Sequence, residues 1–412
     1  MRICFKNILA VLLLVLNTAV MQAEIFRFKF KDGESYRINS LVIEDVFVNN
    51  FFSHTAEITN RITVDISDVK PESAENRLSA LHTCTFMTSE RNLHKTFRWG
   101  RNYESVFKRD DLGVYTIEPK YFMPVVRNVP VFPEKDLKPG DTWEFEGEEA
   151  HDLRDGFDIQ TPFRVPFTVA YTYKGEIEKG GKKYHHIIAE YNLLYNVPPQ
   201  LIAKNQHKLP TLYPVRTIGY SKQDLYWDNE AGNLPKYTET FKIQLMLNSG
   251  RTLTYEGTAS AEITETKKLD KAAVAEDLTQ KIEELGIENT TISQTDEGIT
   301  ISIENIQFEA DSARLLSSEK EKLQKIGRLL QGFPDKELLI SGHTALRGTA
   351  AERQKLSEER ADSVARYLEE IGIRDTQHLY TRGFGARRPL APNTNEENRA
   401  RNRRVEITIL EK

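Results

Sequence analysis

Between Glu24 and about Thr266 apolar residues recur at every second position, and the runs are broken by turn residues, a pattern that a pleated strand satisfies and a helix does not. Phe26, Phe28 and Phe30 alternate ahead of Asp32-Gly33, and Ile62, Val64 and Ile66 alternate with polar residues. Gly180-Gly181 separates two strand-like runs, and Phe241, Ile243, Leu245 and Leu247 lead to Asn248-Ser249-Gly250, beyond which Leu253 and Tyr255 resume. Antiparallel hairpins follow, so the N-terminal region is expected to be all-β. Proline belongs to edges, bulges and turns. Pro124, Pro130, Pro133 and Pro139, gathered around Lys138-Pro139-Gly140-Asp141, therefore predict a boundary between two β-rich domains, 24–126 and 127–266. Val165–Tyr173 and Phe241–Leu247 approach the uncharged outer face that a lipid-facing strand needs. Most other runs carry charge too often, which favours soluble β domains over a membrane barrel.

The chain has 412 residues, 39% hydrophobic and 28% charged, enough apolar material for two or three domain cores. A formal net charge of -5 argues against binding nucleic acid or anionic lipid by bulk electrostatics, so no nucleic-acid partner is expected and any basic site must be local. Arg2 and Lys6 precede an uncharged apolar run, Ile8–Leu16, too short to span a bilayer; residues 1–23 read as an export signal, either cleaved after Ala23 or kept as an uncleaved anchor. Cys4 precedes that run and cannot be the acylated cysteine of a lipoprotein. Cys84 is then the single thiol of the mature chain, expected to be buried and inert. The expected location is the periplasm, in association with the outer membrane.

After Lys267 the period becomes helical. Val274, Leu278, Ile282 and Leu285 form one stripe and Gly286 a stop, giving a connector helix within 267–286. The remaining domain, 287–412, begins with a hairpin around Asp296-Glu297-Gly298. A helix follows, with a Ser318/Glu321 capping box and a Leu323, Ile326, Leu330, Phe333 stripe ended by Pro334. Lys336–Ser341 reads as a strand, Thr349 with Glu352 caps a second helix ending before Gly372, and His378–Arg382 and Val405–Leu410 read as further strands. Alternating strands and helices imply an α/β two-layer sandwich. On the second helix Leu356, Arg360, Val364 and Leu368 share one stripe, so a guanidinium points along the core-facing side. Either Arg360 forms an internal salt bridge or snorkels past the helix edge, or it serves a carboxylate-binding pocket.

Ile306-Gln307-Phe308 with Ser312-Ala313, Gly342-His343-Thr344, Leu356-Ser357-Glu358-Glu359-Arg360-Ala361, Arg382-Gly383-Phe384-Gly385 and Asn402-Arg403-Arg404-Val405-Glu406 occur in an order and spacing that resemble the C-terminal domain of the outer-membrane protein A (OmpA) family. The resemblance covers about 287–412 and says nothing of residues 24–265. It implies a pocket that grips the diamino acid of a peptidoglycan stem peptide. In the family pattern an Asp following the Gly-His-Thr segment takes the ammonium, and an Arg pairs with the carboxylate by a two-pronged contact. Carried over, the Arg is Arg360, with Thr344 beside it and Phe308 and Arg403 as pocket wall; the Asp position is Ala345, which can accept nothing. Arg347 and Arg353 add charge to the same region and either favour an anionic ligand or lie on solvated faces.

No reaction is expected. His185-His186 beside Tyr184 would point to opposite faces of a strand. The cluster of His151, Asp152 and Asp155 lacks a phosphate loop, elbow serine or metal-ligand spacing, so neither cofactor nor metal is expected. Two functions remain open. One is a non-enzymatic envelope protein that associates with peptidoglycan through an altered pocket. The other is a degenerate domain acting as scaffold or interaction module for outer-membrane or periplasmic proteins, with ligand binding left to the N-terminal β region.

Overall fold

The computed structural model describes residues 23–72, 77–92, 96–198, 212–264, 270–309 and 313–411. The export signal apart from Ala23, the start of the connector and Ser312 lie outside the described residues. The protein is mostly β-strand with a few helices, and it meets the antiparallel expectation with strands of unusual length: β1 (Ser35–Val48), β2 (Phe51–Glu72), β3 (Arg77–Arg91) and β4 (Phe97–Asp110), then the short β5 (Tyr115–Ile117) and β6 (Val126–Arg127). After them come β7 (Thr142–His151), β8 (Phe163–Lys179), β9 (Lys182–Asn196), β10 (Pro214–Asp228), β11 (Asn233–Leu247) and β12 (Thr252–Thr264).

The proline-rich stretch does not separate two sheets. β1 pairs with β12 over Arg37↔Thr264 to Val48↔Leu253, and β2 flanks β1 on its other side, so strands from both sides of residue 127 lie in one antiparallel ladder. The prolines sit where the chain crosses from β5 to β7, and backbone carbonyls there accept from side chains of the sheet: Ser105 Oγ donates to the Met123 carbonyl at 2.6 Å, and the Tyr171 hydroxyl donates to the Asn128 carbonyl at 3.2 Å. Phe26, Phe28 and Phe30 also depart from expectation. They alternate, yet the segment joins no strand; its backbone is held by Phe28 N to Asp111 O at 2.8 Å and Lys29 N to Gly232 O at 2.9 Å. Phe26 and Phe28 are thereby inserted into a core with Phe132, Phe167, Tyr171 and Trp227, while Phe30 packs between this core and a second one around Val64, Phe86 and Phe107.

The outward face of the sheet carries the ion pairs Lys222–Glu190 at 3.0 Å and Lys242–Glu256 at 2.5 Å, charges that a lipid-facing band does not hold. No described helix is long and apolar enough to cross a membrane, a statement about helices alone. Cys84 is buried and burial pushes its thiol up to about 12.

The C-terminal unit starts with α1 (Lys271–Glu284), capped by Asp270, which accepts from Ala273 N, and ended where Gly286 takes a φ of 57°. Its Leu278 and Ile282 are buried in the C-terminal core, so the connector is part of that unit. Then come β13 (Thr290–Gln294), β14 (Gly298–Glu304), α2 (Ser317–Leu330), β15 (Leu338–Gly342), α3 (Ala350–Glu370), β16 (Leu379–Gly383), α4 (Glu396–Asn402) and β17 (Arg404–Leu410). Strands pair in the order β13, β14, β17, β15, β16, with β15 and β16 parallel. Alternate residues Ile299, Ile301, Ile303, Ile407 and Ile409 meet Leu323, Ile326, Val364 and Leu368 of the helices. The Ser318/Glu321 box does not form: α2 opens two residues earlier than that cap requires, its N-cap is Leu316, and no side chain caps it.

The other face of this sheet is also covered. Leu339, Tyr380 and Leu410 pack with Met87, Phe97 and Trp99, and β16 pairs in parallel with β4 at Tyr380↔Phe97, joining the two units edge to edge. Two buried carboxylates lock the junction. Glu337 is paired with Arg37 at 3.2 Å and with Arg61, and all three are buried. Asp362, fully buried on α3, accepts from Arg98 at 2.6 Å, Thr96 at 3.1 Å and Asn92 at 3.2 Å, while Arg98 also pairs with Glu358.

Candidate functional site

The site is built where α3 passes the end of β15. Thr349 and Glu352 form the expected reciprocal cap: Thr349 N donates to Glu352 Oε2 at 2.8 Å and Glu352 N to Thr349 Oγ1 at 3.2 Å, fixing where the helix begins. Close approach of helix and strand depends on Gly342, since a Cβ there would overlap the Ser357 carbonyl. Ser357 also accepts from Gly385 N at 2.9 Å, which ties the Arg382-Gly383-Phe384-Gly385 loop to the same turn of α3.

One turn on from Ser357, Arg360 is half-buried with its Cζ 4.7 Å from the centre of the Phe308 ring. It has no ion-pair partner among the described residues, and its buried Nε has no hydrogen-bond acceptor. Burial, and secondarily the positive charge of Arg403, lower its pKa. Arg403 itself pairs with Glu396 at 2.8 Å. The structure thus brings Arg360, Phe308 and Arg403 together. Among the described residues, Arg360 forms no internal salt bridge of the kind that one sequence reading allowed.

Thr344 and Ala345 follow β15 and are both buried. Thr344 N donates to Gly385 O at 2.8 Å, and its Oγ1 is buried with no hydrogen-bond partner among the described residues. Beside it, His343 stacks on Phe384 with ring centres 5.1 Å apart and meets Glu406 at 3.2 Å, while Arg404 donates to Glu406 at 2.7 Å. Arg353 is directed to the Gly348 carbonyl and Arg347 is exposed, so neither is joined to Arg360 by a contact.

Burial raises the Glu406 carboxyl, but His343 and Arg404 outweigh it and hold it at about 2; burial likewise keeps His343 below its ordinary value. Both groups bind protons more weakly in the folded chain than in the unfolded one, so both contribute stability at neutral pH that is lost on acidification. We expect the urea midpoint to fall as pH drops below about 6.5, where unfolded histidine protonates, and further from about 4.5 towards 2. A Glu406→Gln variant should show a shallower fall over the lower part of this range.

The two histidines on β9 lie on opposite faces as expected, His185 with Tyr173 at 2.7 Å and His186 with Asp224 at 2.7 Å. Among the described residues no group of three or more His, Cys, Asp and Glu is placed to hold a metal. The sequence reading missed Arg98, Glu358 and Asp362, the contacts that fix α3 from the N-terminal sheet. No local signal marks them, because Arg98 and Asp362 meet only through the fold.

A sheet backed by helices is the fold that the motifs of the last third imply, and Arg360 lies on the helix packed against the strand that ends at Gly342. Residues 307–403 match the model of the OmpA family, and this part of the chain is an OmpA-family domain. It is 39% identical over 103 residues to outer membrane protein A of Bordetella avium, covering 25% of this chain and 53% of the relative. It is 34% identical over 123 residues to the probable lipoprotein YiaD of Escherichia coli, covering 29% and 56%. It is 38% identical over 104 residues to the peptidoglycan-binding protein ArfA of Mycobacterium tuberculosis, covering 25% and 32%. The chain therefore spans about half or less of these relatives.

Proposed function

We propose that this chain is a non-enzymatic protein of the cell envelope whose C-terminal unit associates with peptidoglycan through an altered pocket. Arg360 holds a carboxylate of the stem peptide, and the ammonium is left without its usual carboxylate. The observation that carries this reading is Arg360 itself, half-buried over Phe308 with no anion beside it among the described residues. A guanidinium removed from water without a partner costs free energy that an incoming carboxylate repays through charge-assisted hydrogen bonds. Phe308 and Arg403 wall the pocket, and the unpartnered Thr344 hydroxyl can donate to the same ligand. A relative named as peptidoglycan-binding supports the ligand class.

Ala345 favours a second reading, in which the unit is a scaffold that no longer binds the wall, because the lost aspartate supplied the balancing charge. Ala345→Asp separates the two. Restoring a charge-assisted contact contributes about 1.5 kcal/mol or more, so affinity for isolated stem peptide should rise at least roughly tenfold over a measurable native value. Binding that appears only in Ala345→Asp, with none in the native chain, sinks the altered-pocket reading and leaves the scaffold.

A further inference from the structure

Two hairpin turns at one end of the N-terminal sheet are built into a single apolar tip. Asn49 and Asn50, with φ of 51° and 66°, form the two-residue turn between β1 and β2, so the strands leave it without splaying. Immediately after it Phe51 is 78% exposed and Phe52 59%, the latter edge-on to Phe47 with ring centres 5.8 Å apart. The neighbouring β11–β12 turn, Ser249-Gly250, is tied to this one: Asn49 N donates to Thr252 O at 2.9 Å, and Thr252 N to Asn49 Oδ1 at 2.9 Å. Arg251 projects from the second turn, exposed and with no ion-pair partner among the described residues. From Phe47 to His54 and from Asn248 to Thr252 there is no carboxylate; the nearest in β1 is Asp45, bonded to Thr55 at 2.5 Å.

We propose that this tip inserts into the headgroup region of a phospholipid membrane, with Phe51 and Phe52 entering the interface and Arg251 meeting lipid phosphates. Amphipathic and aromatic groups flanked by a cation collect at that boundary, and burying a phenyl ring there is favourable. The chain's net charge of -5 opposes an anionic surface, which makes a local, carboxylate-free tip the part able to approach one. Position along the strands agrees. β1 meets the C-terminal unit through Arg37, whose guanidinium donates to Glu411 O at 2.9 Å, and Phe47 lies ten residues further, about 33 Å of extended strand. On β2, Phe51 lies six residues, roughly 20 Å, from Glu57, which accepts from Gln377. The tip thus projects roughly 20 Å past the nearest of these contacts with the OmpA-family domain, so one can reach lipid while the other stays in the aqueous space. The proposal uses the envelope location given above but not the Arg360 pocket.

The test is flotation of the purified mature chain with vesicles of phosphatidylethanolamine containing a minority of phosphatidylglycerol, compared with Phe51→Ser/Phe52→Ser and Arg251→Glu. Urea midpoints and peptidoglycan sedimentation are followed in parallel. The native chain should float, and the double variant should lose about tenfold or more of its partitioning with an unchanged urea midpoint and unchanged peptidoglycan sedimentation. Arg251→Glu should weaken binding only where phosphatidylglycerol is present. A native chain that does not float, or a double variant that floats equally well, overturns the proposal. So does a native self-association, seen by light scattering, that the double variant abolishes while vesicles remain unbound; that result assigns the tip to a protein contact.

Discussion

Glu337→Ala is expected to lower the unfolding free energy by about 3–5 kcal/mol, the largest stability effect anticipated for one substitution in this chain. The carboxylate sits between Arg37 and Arg61, all three buried, and the Tyr380 hydroxyl donates to it at 3.4 Å. Removing it leaves two guanidiniums away from water with like charge and no counter-ion, and burial already brings Arg61 down to about 10. The damage should fall on the junction, since Arg37 and Arg61 belong to the N-terminal sheet and Glu337 to the strand entry of the C-terminal unit. Urea unfolding followed by tryptophan fluorescence should show the midpoint drop, because Trp99 lies in the shared cluster with Leu339 and Tyr380. Glu337→Gln keeps the volume but not the charge and should recover only part of the loss. A midpoint shift below about 1 kcal/mol would mean that the three side chains are solvated in solution and that the junction is looser than described.

The fold was legible where sequence pattern and structure are both local. The Thr349/Glu352 cap is satisfied within four residues, and α3 follows it. The Ser318/Glu321 pair has the same spacing and fails, because α2 begins two residues earlier, with Leu316 as its N-cap, and places Ser318 inside the first turn. Alternation put Phe26, Phe28 and Phe30 on one face of an expected strand, and Phe26 and Phe28 are buried with Phe30 packed beside them, but the segment is held by the Asp111 and Gly232 carbonyls and joins no strand. The boundary placed near residue 127 failed as a sheet division for a long-range reason. Prolines signal an interruption of strands, and only the β1–β12 register reveals that the chain closes back on the same ladder.

The site divides in the same way. Arg360 was visible from helical spacing as a charge on an apolar stripe, whereas Ala345 stood out as a missing charge only through the family resemblance. Their support was not visible. Asp362 reads as a polar residue on a helix, whereas it is fully buried and held by Asn92, Thr96 and Arg98. Through Glu358 and Asp362 the N-terminal sheet holds the helix that carries Arg360, so the β region helps to place that side chain.

The second large effect concerns that arginine. With no ion-pair partner among the described residues, Arg360→Ala should cost the folded chain little and should leave the urea midpoint near the native value. Binding is another matter: truncating one partner of a desolvated charge pair costs roughly 2 kcal/mol or more, about thirtyfold in affinity. The most direct measurement is co-sedimentation of the purified mature chain with insoluble peptidoglycan, native against Arg360→Ala, both verified as folded. Native chain in the pellet, with Arg360→Ala left in the supernatant, is the result expected of a wall-binding pocket. Equal sedimentation of the two, or native chain that stays in solution, would contradict it.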